Sequence, residues 1–424
     1  MLTVAIAGLG TVGAGVVRLL HQNADLIAAR AGMPIALRAV SAKDKKKKRD
    51  CDLFDVAWVD DPIALAQSGA DVVVELIGGA DGVARSVAES ALKSGKHFVT
   101  ANKALIAAHG AELAKLAERN KVQLAFEAAV AAGIPVIKAL REGLAANKIS
   151  TVYGILNGTS NYILTRMREG ALSFAAALQE AQAHGFAETD PSADIDGYDS
   201  ANKLAILAAL AFGVEPNLAA VQIDGISGIT PVDLLFAEEL ECRIKLLGVA
   251  RMSEAGLEQH VGPVLVPASS TLSQVDHVLN AVLLRGDFSG GVMLEGQGAG
   301  AHPTASAVVA DLIDIARGHR TPAFGVAASH LKKAVAAKSA HKTHYYMRVQ
   351  VMDKPGVVAD ISAILRDEAI SIESLLQRGK SATESVPVVI TTHAAEPSAM
   401  RRAVEKIAKL PTVVEKPCLM QIED

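Results

Sequence analysis

Aromatic residues make up only 4% of the 424-residue chain, with a single tryptophan. A core without many rings must be assembled from aliphatic side chains, and with half of all residues hydrophobic there is ample material for one. Charge of one sign is also missing, since 42 basic residues against 46 acidic ones leave a net of −4. That balance speaks against nucleic acid as a partner, because nucleic-acid binders show a strongly basic domain or stripe. A disordered chain is excluded too, since it needs low hydrophobicity and high net charge. Cysteine is scarce: Cys51, Cys242 and Cys418 are odd in number and too far apart for a metal motif or a disulfide framework. A reducing, cytoplasmic setting is therefore expected. No apolar run reaches the roughly 18 residues of a membrane span, because Glu75 interrupts one candidate and Lys203 precedes another. The apolar N-terminus has no basic leader and runs straight into glycines, so it reads as a first strand rather than a signal peptide.

What the chain does contain is glycine, 34 residues of it, and a regular alternation of short apolar runs with helical patterns. At roughly 150 residues per domain, the length predicts about three domains. Residues 1–130 read as strands at 3–7, 35–41, 71–77, 97–100 and 122–126, with helices at 12–29, 82–94 and 105–120. Strands alternating with helices imply an α/β domain built on a parallel sheet. The middle, about 131–300, is less regular. It shows helices at 174–184 and 201–212 and strand-like runs at 148–156 and 290–295. A helix at 304–317 is expected to return to the first sheet, giving a discontinuous domain of 1–130 plus 301–330. Residues 331–344 read as a linker. From 345 the pattern is βαββαβ, with strands at 346–352, 370–378, 386–393 and 413–422 and helices at 356–367 and 397–410, a ferredoxin-like module.

Gly8, Gly10 and Gly13, with Thr11 and Val12 between them, follow the first strand and open the first helix. This is the context a dinucleotide fingerprint requires. The next strand would end in an acid if it read the 2′-hydroxyl of NAD. Here Ser41-Ala42 is followed by Lys43, suited to the 2′-phosphate of NADP, and by Asp44, which keeps NAD open. The basic run 45–49 reads more naturally as a solvated loop than as a specific contact.

Three polar groups of residues interrupt apolar surroundings. Thr100-Ala101-Asn102-Lys103 lies at the carboxyl end of a strand, where open α/β sheets hold ligands, although a capped helix with an exposed lysine would look the same. Asn157-Gly158-Thr159-Ser160-Asn161-Tyr162 follows an apolar run and reads as a capped helix start. The most informative segment packs Glu188, Asp190, Asp194, Asp196 and Asp199 into twelve residues, with Lys203 just beyond. Asp199 and Lys203 share one helix face. Because 204–212 is apolar on every side, that helix should be buried and its polar first turn should face a cleft. A lysine near the positive end of a helix dipole is suited to acid–base work, and the neighbouring carboxylates could hold an ammonium group. The acidic spacing does not follow a calcium-loop pattern.

Together these motifs resemble homoserine dehydrogenases, over nearly the whole chain. The resemblance rests on Gly8–Gly13, Thr100–Lys103, 126–130, 157–162, 188–203 and the stretch Gly298-Ala299-Gly300 with Pro303–Asp311. The tail, with its Asp353-Lys354-Pro355-Gly356 turn, resembles an ACT domain, a ligand-binding regulatory module. The resemblance implies a Rossmann-type domain, an α+β substrate-binding and dimerisation domain at 131–300, and the ACT module at 345–424. It implies NAD(P)-dependent interconversion of L-homoserine and L-aspartate 4-semialdehyde, on the route to threonine and methionine. It also implies roles: Lys203 as proton donor and acceptor, Lys103 assisting and reaching the cofactor, Glu188 and Asp199 holding the substrate with help from Asp194. Thr100 and Gly185 would line the cofactor with Gly8, Gly10, Thr11, Val12 and Gly13. Glu127 with the carbonyls of Val130, Ala132 and Ile134 would bind a monovalent cation, usually sodium; a buried, hydrogen-bonded carboxylate is the plainer reading of Glu127. An amino-acid effector, threonine first, and a homodimer or homotetramer are expected. The segment Glu295-Gly296-Gln297 departs from the family, where an aromatic and a basic residue or proline are expected.

Overall fold

The computed structural model of the chain describes residues 1–337, 341–377 and 385–423. The N-terminal part is a six-stranded parallel sheet. Its strands are β1 (Leu2–Ala7), β2 (Ile35–Ser41), β3 (Ala57–Trp58), β4 (Val72–Glu75), β5 (His97–Thr100) and β6 (Leu124–Ala125), in the order β3-β2-β1-β4-β5-β6. This is the doubly wound Rossmann order, which reverses between β1 and β4. Alternate residues of each strand feed opposite layers, as the period of two demands. Val4, Ile6, Val72 and Val74 pack with helix α1 (Thr11–Gln22). Ala5, Ala7, Val73 and Phe98 pack towards α3 (Val83–Lys93) and α4 (Lys103–Arg119). The single helix expected at 12–29 is two: α1 ends at Gln22 and α2 runs Ala24–Ala31, parted by Asn23 at φ −110°, ψ 24°. Asparagine competes for its own backbone and so favours such a break.

The middle of the chain contains α5 (Val136–Lys138), β7 (Ile149–Ile155), α6 (Gly158–Gly170), α7 (Phe174–Ala183), α8 (Ser192–Ile195), α9 (Tyr198–Phe212), β8 (Gln222–Ile223) and α10 (Pro231–Glu239). It continues with β9 (Cys242–Ser253), β10 (Gly256–Pro267), β11 (Leu279–Gly286) and β12 (Gly290–Gln297). The long β9–β10 hairpin, the centre of the second sheet, has no counterpart in the sequence reading. Its alternation is masked by Gly248, Gly262 and Pro263 inside the strands, and by Lys245. That lysine is 1% exposed, with its ammonium donating to Asp276 at 2.8 Å. Helix α9 is buried from Asp199 to Ala209 except at Asn202, as its apolar faces require. After β12 the chain enters α11 (Ala301–Ala316), which returns to the first sheet through Val308 and Leu312 against Val16 and Leu20 of α1.

The C-terminal segment forms β13 (Thr343–Met352), α12 (Val357–Asp367), β14 (Ile372–Gln377), β15 (Ser385–Ala395), α13 (Pro397–Ile407) and β16 (Cys418–Ile422). Of the strand expected at 370–378, Ile372–Gln377 form β14, and Arg378 lies outside the described residues. Unlike a tethered module, this segment is sewn into the body. β16 pairs with β13 and also, in parallel, with β10 (Val264 with Gln421, Leu265 with Ile422), so the two sheets merge into one of ten strands. Asp233 of α10 is fully buried and accepts hydrogen bonds from the Tyr346 hydroxyl at 2.9 Å and Arg348 Nε at 2.8 Å. Part of the stretch read as a linker is pinned as well, with bridges from Lys332 to Val214 and from Ala336 to Leu257; residues 338–340 lie outside the described residues. Among the described residues, no helix is long and apolar enough to cross a membrane.

Candidate active site

At the point where the strand order reverses, the carboxyl ends of β1, β2 and β4 open onto a cleft of about 700 Å³, the size of a cofactor site. Gly8, Leu9 and Gly10 form its floor, and Lys43, Asp44, Lys45, Lys47, Arg49 and Trp58 one wall. Each glycine of the fingerprint is required for a different reason. Gly8 has φ +104°, and a Cβ there would lie 2.6 Å from the Leu76 carbonyl oxygen. A Cβ on Gly13 would lie 2.1 Å from the Gly8 carbonyl oxygen, so no side chain fits between strand and helix. At Gly10 nothing lies within 4 Å, which leaves open the space above the N-terminus of α1. Backbone N–H groups and the helix dipole favour an anion there. These residues fit a dinucleotide. Thr11 and Val12 begin α1 itself.

The basic run is exposed over Lys45–Lys48, as a solvated loop requires, and only Arg49 is half-buried. Arg49 donates to the carbonyls of Leu9 at 3.0 Å and Lys47 at 2.8 Å, and its guanidinium lies 5.5 Å from the Trp58 ring centre. Lys45 sits 5.7 Å from the same ring. The tryptophan organises the basic run into a wall of the cleft. Asp44 uses its carboxylate to accept from the backbone N–H groups of Lys46 (2.8 Å) and Lys47 (3.2 Å), shaping the loop.

A second polar cluster lies where α4 meets α9. Asp199 is its hub: Oδ2 accepts from Lys203 Nζ at 2.7 Å and from Asn157 Nδ2 at 2.9 Å, while Oδ1 pairs with Lys103 Nζ at 2.8 Å. Burial by itself would raise the Asp199 carboxyl, but the Lys203 and Lys103 ammonium groups hold it well below the ordinary carboxylate range. For Lys103, burial opposes the charged form and the Asp199 charge outweighs it, so its pKa is raised. Lys203 also donates to the Leu156 carbonyl at 2.6 Å. An ammonium has three donors, so two of Lys203's are committed and one remains for a ligand. Asp194 joins through Asn157 Nδ2 at 2.7 Å, and burial pushes its carboxyl above the ordinary value. Glu188 stands on the exposed loop after α7, near enough for its charge to support the Lys103 ammonium. Gly185, at φ +72°, opens the same exposed loop.

Local chemistry explains these positions. Lys103 is the first residue of α4, and Asn102 caps that helix by accepting from Leu105 N at 3.1 Å. The capped-helix reading and the site reading are therefore both satisfied by one turn. Thr100 is fully buried at the end of β5, and its hydroxyl donates to Glu75 Oε2 at 2.7 Å while accepting from Asn102 N at 2.9 Å. It fixes the turn that presents Lys103. Glu75, fully buried, also accepts from the N–H groups of Ile77 (2.6 Å) and Gly78 (2.9 Å) and shapes the lip of the cleft. In the sequence Glu75 shows only as a break in an apolar run; a carboxylate closing a buried Val-Val-Val strand is its signal. Asn157 was missed as a site residue too. It caps α6 with Oδ1 while its amide group holds Asp194 and Asp199.

Glu127 stands apart from both clefts, 2% exposed, accepting from the N–H groups of Ile137 (3.0 Å) and Lys138 (2.9 Å). That is the plainer reading made at the outset. Asp311 is beside it and accepts from Glu127 N at 2.9 Å. Burial first, and then the Asp311 charge, push Glu127 up to about 7, and burial pushes Asp311 up to about 6. The chain that follows, 130–134, carries Ala131 at φ +47°, a strained conformation for alanine. It is braced from 297–298, where the carbonyls of Gln297 and Gly298 accept from Gly133 (2.9 Å) and Ala132 (3.0 Å). The unusual 295–297 segment therefore supports this loop.

Comparison with known proteins agrees with this geometry. Three family models match: the homoserine dehydrogenase NAD-binding domain over 8–127, homoserine dehydrogenase over 135–313, and the ACT domain over 345–411. The chain is 45% identical to a homoserine dehydrogenase of Neisseria gonorrhoeae, covering 98% of this chain and 97% of that protein. It is 44% identical to one from Pseudomonas aeruginosa, covering 92% and 91%. Among solved structures, a homoserine dehydrogenase from Thiobacillus denitrificans superposes with a TM-score of 0.92 at 41% identity, covering 100% of this chain and 98% of that one. A hyperthermophilic archaeal homoserine dehydrogenase in complex with NADPH matches at a TM-score of 0.65 and 26% identity, covering 76% of this chain and 99% of that one. With a Rossmann cleft, a paired-lysine site and family matches along almost its full length, the chain belongs to the homoserine dehydrogenases, NAD(P)-dependent oxidoreductases.

Proposed function

We propose that the chain reduces L-aspartate 4-semialdehyde to L-homoserine, and the reverse, in threonine and methionine biosynthesis, with NADP(H) as the preferred cofactor. The observation that carries the reading is the convergence of Lys203 and Lys103 on Asp199, at 2.7 and 2.8 Å. A dinucleotide held over Gly8, Gly10 and Gly13 would supply the hydride chemistry between the aldehyde and the alcohol. Lys203 gives a proton to the carbonyl oxygen through its remaining N–H and recovers one from water, so each reduction consumes one hydride and one proton. Lys103 steadies the same oxygen or the cofactor's ribose. Asp199 is already committed to both lysines, so it orients them, and Asp194 with Glu188 is left to hold the substrate ammonium. Thr100 acts by setting the turn before Lys103, and Gly185 by letting the 184–188 loop approach the bound dinucleotide. Lys43, supported by Lys45 and Arg49, meets the 2′-phosphate, since Asp44 spends its carboxylate on the loop.

Glu127, with the carbonyls of Val130, Ala132 and Ile134, is assigned a sodium ion. Both adjacent carboxyls are buried and pushed up, chiefly by that burial and in spite of Lys138 beside them, and a cation held there would favour their charged forms. We further assign 1–130 with 301–330 to the nucleotide domain, 131–300 to the substrate and dimerisation domain, and 345–424 to regulation by an amino acid, threonine first. A homodimer or homotetramer in the cytoplasm is the expected form. The test follows oxidation of NADPH and of NADH with aspartate semialdehyde; absence of turnover with both would refute the reading, and faster turnover with NADH would refute the cofactor preference.

A further inference from the structure

On one wall of the cofactor cleft, two cations gather on one ring. Trp58 is the single tryptophan of the chain. It ends β3 in register with Val40 of β2, half-buried against the core that holds Val16 and Val40, and it lines the cleft. Arg49 holds its guanidinium 5.5 Å from the ring centre, and Lys45 its ammonium 5.7 Å from the same centre. Both lie within the roughly 6 Å of a cation–π contact. Like charges brought this close repel, and the acids nearest in sequence are already engaged. Asp50 pairs with Arg18, and Asp44 Oδ1 accepts from the N–H groups of Lys46 and Lys47. The lining as a whole sets Lys43, Lys45, Lys47 and Arg49 against Asp44 and Asp60, so positive charge is left over for an anion.

Arg49 does more than supply charge. Its Nε donates to the Leu9 carbonyl, in the fingerprint turn, and its two terminal nitrogens donate to the carbonyls of Lys47 and Asp44, in the basic loop. A guanidinium has five N–H groups, so three are committed and two remain. One planar group thus ties the turn suited to the pyrophosphate to the loop beside it. A lysine could not do the same, because its ammonium is a compact charge on a flexible stem. Trp58 backs this fork, and its own place on β3 is secured where Val59 N donates to the Val40 carbonyl at 2.9 Å.

We propose that Trp58 is a positioning residue for cofactor choice: it gathers Arg49 and Lys45 into a pair suited to a ribose 2′-phosphate, and the Arg49 fork carries that order to the fingerprint turn. The proposal rests on the reading that the preferred cofactor is the phosphorylated one, and it adds the residue that makes the basic loop selective. A phosphate monoester carries about −1.5 to −2 charges near neutrality, which the gathered cations can meet. A bare 2′-hydroxyl offers them no charge, so a dinucleotide lacking the phosphate gains little from the clasp.

The experiment titrates the full-length protein with 2′-phospho-ADP-ribose and with ADP-ribose, two probes that differ by the 2′-phosphate alone. Calorimetry gives the affinities of wild type and variants, and the emission of the single tryptophan reports occupancy of this wall in the wild type. Trp58→Leu should lose about five- to thirtyfold in affinity for the phosphorylated probe, the size of two exposed cation–π contacts, and less than about twofold for ADP-ribose. Trp58→Phe keeps a ring and should recover most of that loss. Arg49→Lys keeps the charge but not the fork, and should weaken the phosphorylated probe by at least about fivefold; it decides the matter should Trp58→Leu fail to fold. Equal losses for the two probes in Trp58→Leu would make the ring an adenine platform or a plain wall, overturning the proposal while the cofactor preference stands. Wild-type affinity in Arg49→Lys would overturn the clasp, since charge alone would then suffice. A wild type that binds both probes equally would overturn the clasp and the cofactor preference together.

Discussion

Asp199→Asn is the sharpest perturbation of the site. The substitution keeps shape and one oxygen but removes the charge that two lysines share. Asparagine would turn its remaining oxygen to the Lys203 and Asn157 side, because both donors are buried there. Its amide nitrogen would then oppose Lys103, whose side chain is 41% exposed and can turn to water at little cost. Lys203 has no such exit and keeps only the Leu156 carbonyl and a neutral acceptor. Breaking a buried pair outright costs about 3–5 kcal/mol; the acceptor retained here reduces that to about 2–3 kcal/mol of stability. At about 1.4 kcal/mol per tenfold, a similar loss of orientation at the transition state lowers kcat by about 10²-fold. Denaturant unfolding gives the first number and steady-state kinetics the second. The pH profile gives a third readout. Asp199 is what raises Lys103 above its ordinary value, and without it burial prevails. The alkaline limb of kcat/KM should move to lower pH. A variant with wild-type kcat and an unmoved alkaline limb would show that Asp199 neither orients the lysines nor sets their charge.

Three further outcomes are expected. Lys203→Ala leaves Asp199 paired with Lys103 and Asn157, so the protein folds, while turnover falls by about 10²–10⁴-fold and dinucleotide affinity, read by fluorescence titration, is unchanged; retained turnover would remove Lys203 from proton transfer. Gly10→Ala adds a methyl group where nothing lies within 4 Å, so the apo melting temperature is preserved while dinucleotide affinity drops by at least about tenfold; if affinity survives, the pyrophosphate lies elsewhere. Glu127 tests the cation. An acid raised to about 7 in the folded protein binds its proton more tightly folded than unfolded. Its contribution is therefore fully present below about 4.5, the ordinary glutamate range, and fades as pH rises through 7, by up to about 3 kcal/mol. Sodium should replace the proton, raising the melting temperature well above pH 7 and little near pH 5, and Glu127→Gln should abolish both dependences; a sodium effect that survives the substitution places the ion elsewhere.

The ion pairs and hydrogen bonds at the seam change how regulation should be probed. Removing 345–423 would strip β10 of its partner β16 and leave Asp233 buried without Tyr346 and Arg348. Such a truncation confounds loss of an effector with loss of the fold, so single substitutions in the C-terminal segment are the cleaner instrument.

Wherever the physics is local, the chain could be read without its structure. Gly8, Gly10 and Gly13 announce themselves because strand, turn and helix follow within a few residues, and β2 and β5 were placed to the residue by their apolar patterns. The Asp199–Lys203 pair was legible because four residues are one helical turn, and the burial of α9 because every face of it is apolar. Other features depended on residues distant in sequence. The β9–β10 hairpin hides behind an interior lysine that is tolerable only because Asp276 arrives to meet it. The basic run at 45–49 gained its order from Trp58, and Glu75 and Asn157 gained their tasks from partners 25 and 42 residues away. Lys103 met Asp199 only when the Rossmann body closed on α9. Sequence period determined which residues could be buried, capped or turned; the pairing of charges across separate elements, and the merging of the C-terminal segment into the second sheet, were decided by tertiary structure, because those contacts have no local signature.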